Sequence, residues 1–273
     1  MIDFGKDGQR VVQNSEVGRF QAVLGSLGEF DNAEVHPIVE ALLSPTEREK
    51  CFIVGYYRAV ASVRSLLMFQ DASHFQAIAM LARALFELAV DLRFIDVEAD
   101  AIAKLYAYCA SERLRVARDT VALAIARKTA DDVSIQEGFI AARAASIDAQ
   151  HLVFWPNTKK IIHWSGKNLR NRTEQLGSPY EEAYVLSYAQ LSWDVHPGLA
   201  GVLDLDVNAF PAKCGLAFQF AFEWYADVLR SVAAELKIDK AVEKLKDKIQ
   251  LATMLPFART PEEAARLREV ILG

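Results

Sequence analysis

The stretch AIAMLARALFELAVDL, Ala77 to Leu92, is apolar at every position but three, and those three, Arg83, Glu87 and Asp91, are spaced by four. Four residues make a little over one helical turn, so the segment reads as an apolar helix with a single polar stripe. A helix of that kind needs neighbours on most of its sides, which a multi-helix core supplies. Its charges must then face a buried polar network or a cavity, because a buried charge without a partner is costly.

The rest of the chain supports the same architecture. Ser44-Pro45-Thr46-Glu47, Ser178-Pro179-Tyr180-Glu181 and Thr260-Pro261-Glu262-Glu263 each combine a capping hydroxyl, a proline suited to the first helical position and a glutamate placed to complete a capping box. Apolar residues recur at helical rather than alternating spacing. Long helices are expected at about 45–70, 73–96, 98–128, 132–151, 179–196 and 210–236, with shorter ones near 16–29, 238–251 and 261–272. The fold expected is an all-α single bundle whose central helix lies around residues 75–95. Residues 1–14 form a flexible start, 15–236 the bundle and 237–273 a helical appendage packed on it.

At 273 residues the chain can bury a substantial core without a staple. Cys51, Cys109 and Cys214 are odd in number, far apart and set among apolar residues, so they read as reduced core thiols and favour a cytoplasmic setting. The start MIDFGKDGQRVV lacks the basic and apolar regions of a signal peptide, and Ile78 to Leu92, the most apolar stretch, is interrupted by three charges. No membrane association is expected. A net charge of −5 gives no general attraction for nucleic acid, although a local basic patch remains compatible with it. Such a patch exists in PNTKKIIHWSGKNLRNRTEQLGSP, which carries Lys159, Lys160, Lys167, Arg170 and Arg172 against Glu174. It reads either as a solvated connection or as a loop over the bundle.

The familiar chemical signatures are absent: no Gly-x-Ser-x-Gly elbow, His-Glu-x-x-His, P-loop or Gly-x-Gly-x-x-Gly occurs. Gln219, Glu223 and Asp227 form a second four-spaced polar stripe, but Glu-x-x-His pairs of the di-iron kind are missing, so neither metal nor other cofactor is expected. His36, followed by Pro37, reads as a helix-start histidine beside Glu40. Ser192 and His196 are four apart in YAQLSWDVHPG and can touch on a helix. They read either as a packed helix end, with His196 favoured by the macrodipole, or as part of a working site. His163-Trp164-Ser165-Gly166 could cover a ligand, or Trp164 could simply anchor its loop.

The order of these features resembles a bacterial family of helical domains of unknown function, number 5677. The matching residues are Arg83-x-x-x-Glu87-x-x-x-Asp91, Tyr106, Trp164-x-Gly166, RNRTEQLG and Tyr184-x-x-x-Tyr188-x-x-Leu191-Ser192-x-x-x-His196, over roughly residues 50–205. The resemblance implies a helical fold and brings no activity with it. A more distant likeness is to the higher-eukaryote-and-prokaryote nucleotide-binding helical bundles, many of which cleave RNA. Their active members place an arginine four to six residues before a histidine. Gln190 to Val195 hold those positions here, so Arg83 would have to replace that arginine in space.

The functional expectation is a polar pocket in which Arg83 binds an anionic group, Glu87 fixes or exchanges protons, and His196, oriented by Ser192, acts as acid or base. Asp91, His163, Trp164 and Tyr188 would complete the ligand contacts. The partner would be an anionic small molecule or RNA, cleaved without metal. The competing class is a non-catalytic interaction protein, in which the same residues form a buried structural network. A homodimer is the further expectation on assembly.

Overall fold

The computed structural model describes residues 16–69, 72–128, 132–158, 160–195 and 209–238, together with the isolated positions Lys244, Arg266 and Glu269. In chain order the helices are α1 (Glu16–Phe30), α2 (His36–Ala41), α3 (Glu47–Met68), α4 (Phe75–Phe94), α5 (Ala101–Arg127), α6 (Ser134–Phe154), α7 (Leu169–Leu176), α8 (Tyr180–Ala183), α9 (Ala189–Val195) and α10 (Phe210–Glu235). A π-helical turn, Asp31–Val35, joins α1 to α2, and a second, Tyr184–Tyr188, joins α8 to α9. No strand occurs among the described residues, so the fold is all-α. The helices expected at 238–251 and 261–272, apart from Ile238 and the isolated positions just named, the cap at Thr260 and the start at 1–14 lie outside the described residues.

Two of the expected helix starts move. The first falls at Thr46 rather than Ser44: the Thr46 hydroxyl accepts the Glu49 N–H at 3.2 Å, and Glu49 Oε2 accepts the Thr46 N–H at 2.6 Å. Ser44-x-x-Glu47 and Thr46-x-x-Glu49 both fit the capping-box pattern, and only the second forms the box. The other start falls at Pro179, which occupies the N-cap position of α8 without a side-chain cap, so Ser178 does not serve there.

The chain divides into two compact units, residues 1–93 with 176–273, and residues 94–175. In the first, α10 packs on α1 and α3. Leu24, Leu27, Phe30, Leu66, Phe218 and Leu229 are buried there, and α4 contributes Ile78, Leu85, Phe86 and Val90. A Cβ on Gly55 of α3 would stand 3.0 Å from Leu92 Cδ2 and 3.5 Å from Leu88 Cδ1, so glycine lets α3 approach α4 closely. The buried carboxylate of this core, Asp31, is paired, as burial requires. Asp31 accepts from the Tyr56 hydroxyl at 2.8 Å and the Tyr225 hydroxyl at 2.9 Å, and His36 Nδ1 lies 3.1 Å from Tyr56 Oη. His36 opens α2 with Glu40 at 3.1 Å, in line with a helix-start role.

In the second unit α5 and α6 run antiparallel, joined across their surface by Arg118 and Asp148 at 2.7 Å. Ala107, Trp155 and Ile161 form its small core. Gly166 has φ of +74°, and a Cβ there would come within 3.2 Å of Trp155 Cδ1. The backbone approach this glycine permits is therefore to Trp155.

Among the described residues, the one helix long and apolar enough to cross a membrane is α3 rather than α4. It buries Phe52, Tyr56, Val63 and Leu66 in the first unit. Of the three cysteines only Cys214 is a core residue; Cys51 is half-buried and Cys109 exposed. The buried faces of their helices pass beside them, through Phe52 next to Cys51 and Ala107 two positions before Cys109.

Candidate functional site

The polar stripe of α4 starts the site. Arg83, Glu87 and Asp91 are each partly covered, and α4 is open on that side, where Ala84 is exposed. The partner comes from the π turn 184–188. A π turn adds a residue per turn and so rotates the side chains that follow it, a device frequent at functional sites. Here it stacks Tyr184 on Tyr188, with ring centroids 5.3 Å apart, and turns Tyr188 against Phe86 of α4.

The three polar groups then close on one another. Arg83 Nη2 donates to Tyr188 Oη at 2.8 Å, and Tyr188 Oη donates to Glu87 Oε1 at 2.6 Å. The Arg83 guanidinium also lies 4.7 Å from the centroid of the Tyr188 ring, in cation–π range, and 3.7 Å from Glu87 Oε1. Burial, with the Glu87 charge behind it, raises the Tyr188 phenol above its ordinary value against the opposing pull of Arg83. The hydroxyl therefore remains a proton donor at neutral pH. The Arg83 Nε is covered and has no acceptor among the described residues. With its side chain 20% exposed beside a Glu87 that is 46% exposed, the guanidinium is reachable from solvent.

A second polar cluster lies in the same unit. Asp227 of α10, 4% exposed, accepts from Arg93 Nη2 at 3.2 Å and from the Tyr180 hydroxyl at 2.7 Å, with Arg230 Nη2 also at 3.2 Å. This ties α4, α8 and α10 together. The stripe expected on α10 splits accordingly, because four-residue steps advance about 40° each around a helix. Gln219 and Glu223 point outward and bond to each other at 3.1 Å, while Asp227 turns inward. It is the aromatic face of α10, through Phe220 and Trp224, that meets Phe86.

Of the other residues singled out from sequence, Ser192 is half-buried on α9. His196 lies outside the described residues. His163 and Trp164 belong to the second unit. There, His163 Nδ1 lies 2.9 Å from Ser165 Oγ and accepts the Ser165 N–H at 3.3 Å. Trp164 is buried, with its ring 5.9 Å from Phe94. The basic segment is largely engaged locally: Lys167 reaches Glu98 at 2.7 Å and Gln175 at 2.9 Å, Arg170 pairs with Glu174 at 2.8 Å, and Arg172 is buried. Lys104 also bonds to Glu98, and the two ammonium groups outweigh burial to hold that carboxyl below its ordinary range.

Among the described residues no group of His, Cys, Asp and Glu side chains is arranged to hold a metal ion. Arg93, Tyr180 and the Asp31 network went unread in the sequence, because their partners lie far along the chain and Tyr56 and Tyr225, set in apolar runs, look like packing residues. Comparison with known proteins gives one result. A family model described as "Family of unknown function (DUF5677)" matches residues 50–209, which is more than half of the chain. No curated protein and no solved structure matches.

Proposed function

The chain belongs to the DUF5677 family of unknown function, and from its own side chains we propose that it binds a phosphate-bearing anion at Arg83 and cleaves RNA without metal. The observation that carries this reading is the way Arg83 is held. Its guanidinium is fixed by the Tyr188 ring and hydroxyl on a side chain that stays 20% exposed. A guanidinium held in place at a partly exposed edge suits a phosphate or carboxylate. Placed against a phosphodiester, it would offset the charge that builds on the phosphoryl oxygens.

Cleavage of RNA by its own 2′-hydroxyl forms a bond from O2′ to phosphorus and breaks the bond to O5′. One group must take the 2′ proton and another must protonate the leaving oxygen. The spacing of Ser192 and His196 supplies a histidine for one of these transfers, and Glu87 supplies a carboxyl beside Arg83. A competing reading, a non-catalytic interaction protein, is favoured by the mutual satisfaction of Tyr188 with Arg83 and Glu87 and by the Asp227 cluster, both of which join helices.

The two readings separate on His196→Ala, assayed with a labelled single-stranded RNA in the presence of a chelator alongside thermal melting. The enzyme reading predicts that the wild type cleaves and that the variant loses about a hundredfold in rate with its melting temperature retained. Absence of cleavage by the wild type, or a variant that melts early, speaks for the structural network.

A further inference from the structure

The second unit contains a groove of about 390 Å³ between α5, α6 and the segment at 160–161. From its lining we propose that it binds a small amphipathic molecule with an apolar body of a few carbons and a single anionic head group. This is a site in addition to the one at Arg83 and independent of it.

The groove has the size of a small-molecule site, for which pockets of roughly 300–1,000 Å³ are usual. Its floor is apolar: Leu114 of α5 and Ile147 of α6 are buried there, and Ile161 is buried where it packs on Ala107 and Trp155. Its two ends differ in charge. Toward the middle of the hairpin the cations are already neutralised, since Arg118 reaches both oxygens of Asp148 at 3.2 and 2.7 Å, and Arg115 is shared between Glu112 at 2.8 Å and Asp119 at 2.9 Å.

The other end has unused capacity. The Arg118–Asp148 pair fixes the antiparallel register, so Ser111, two turns before Arg118, lies near the C-terminal end of α6 that carries His151. Lys160 lines the same groove, with no ion pair among the described residues. The Ser111 hydroxyl is covered and has no hydrogen-bond partner among the described residues. His151, also in the lining, is engaged by the Thr158 carbonyl, to which its Nε2 donates at 2.7 Å. A hydroxyl and an ammonium, neither of them paired among the described residues, beside an apolar floor, match an anionic head on a short apolar chain. A fully polar anion would leave the floor uncovered, and a cation would meet Lys160.

Octanoate titrated into the full chain tests this, with octylammonium of the same length as the control. Trp155, whose ring lies 5.7 Å from His151, provides a fluorescence readout. Saturable binding of octanoate is expected, with octylammonium weaker and with Lys160→Glu lowering octanoate affinity at least about fivefold. Arg143→Glu, an exposed change on α6 away from the groove lining, should leave it unaltered. Lys160 is exposed, so its substitution should leave the melting temperature intact. No saturable binding, equal binding of the two probes, or octanoate affinity indifferent to Lys160→Glu would overturn the proposal. None of these outcomes depends on RNA cleavage or on Arg83.

Discussion

Tyr188 donates its hydroxyl to Glu87 at 2.6 Å, across 101 residues of chain, and the same oxygen accepts from Arg83 one turn earlier on α4. One phenol thus ties the π turn to the polar stripe of α4 and fixes where the guanidinium sits. The stripe is neither sealed in the core nor free in solvent. It is a half-covered edge whose geometry depends on a residue from a distant part of the sequence.

Tyr188→Phe removes the hydroxyl and keeps the ring. The variant should lose about 1–2 kcal/mol of stability, the cost of leaving partly buried donors and acceptors without their partner. Tyr188→Leu, which also removes the ring under Arg83 and its packing on Phe86, should lose more. Chemical denaturation of the two variants against the wild type measures the difference, and equal losses would show that the hydroxyl contributes nothing.

The buried Asp31 gives a pH signature. Burial raises its carboxyl above the ordinary 3.8, against the hydrogen bonds from Tyr56 and Tyr225 and the charges of His36 and Arg64. A raised acid costs stability while ionised, and that cost lifts as pH falls through the raised value toward 3.8. Relative to Asp31→Asn, which does not titrate, the wild type should therefore gain stability on moving from pH 7 toward pH 4, with a slope of at most about 1.4 kcal/mol per pH unit. Unfolding curves of both proteins across that range check the sign, and a wild type that loses ground would contradict the assignment.

Glu98 should behave in the opposite sense. Its side chain is 8% exposed and bonded by Lys104 and Lys167, and these bring its carboxyl below the ordinary 4.5 despite burial. Its contribution is present above 4.5 and is lost as pH falls through the lowered value. Glu98→Gln should cost roughly 1–3 kcal/mol at pH 7, and the gap to the wild type should close in acid. Thermal melts at two pH values are sufficient to see it.

At the start of α3, Thr46→Ala should cost about 1 kcal/mol while Ser44→Ala costs little, because only Thr46 closes the capping box. Denaturation of the two single variants distinguishes them, and the reverse order would place the helix start at Ser44.

The helices were legible in the sequence because apolar spacing and capping residues are local signals. The ends were less so, since overlapping Ser44-x-x-Glu47 and Thr46-x-x-Glu49 patterns differ only in three dimensions. Arg83 and Glu87 could be paired from their four-residue spacing. Tyr188 as their partner could be reached only through the order of features shared with the family, because no local rule brings a residue 101 positions away to α4. The same limit hid Asp31, whose two tyrosine donors lie 25 and 194 residues along the chain. Neither π turn has a signature in side-chain periodicity, so the expected helix at 179–196 concealed the rotation that places Tyr188.

The most direct test of the anion site is calorimetric titration of a short single-stranded RNA into the wild type and into Arg83→Gln at low salt. Saturable binding to the wild type is expected, weakened about tenfold or more in the variant, as loss of a charge-assisted hydrogen-bond donor worth about 1.5–3 kcal/mol implies. Equal binding by the two proteins, or no binding by a folded wild type, would contradict the assignment of Arg83 as the anion receptor.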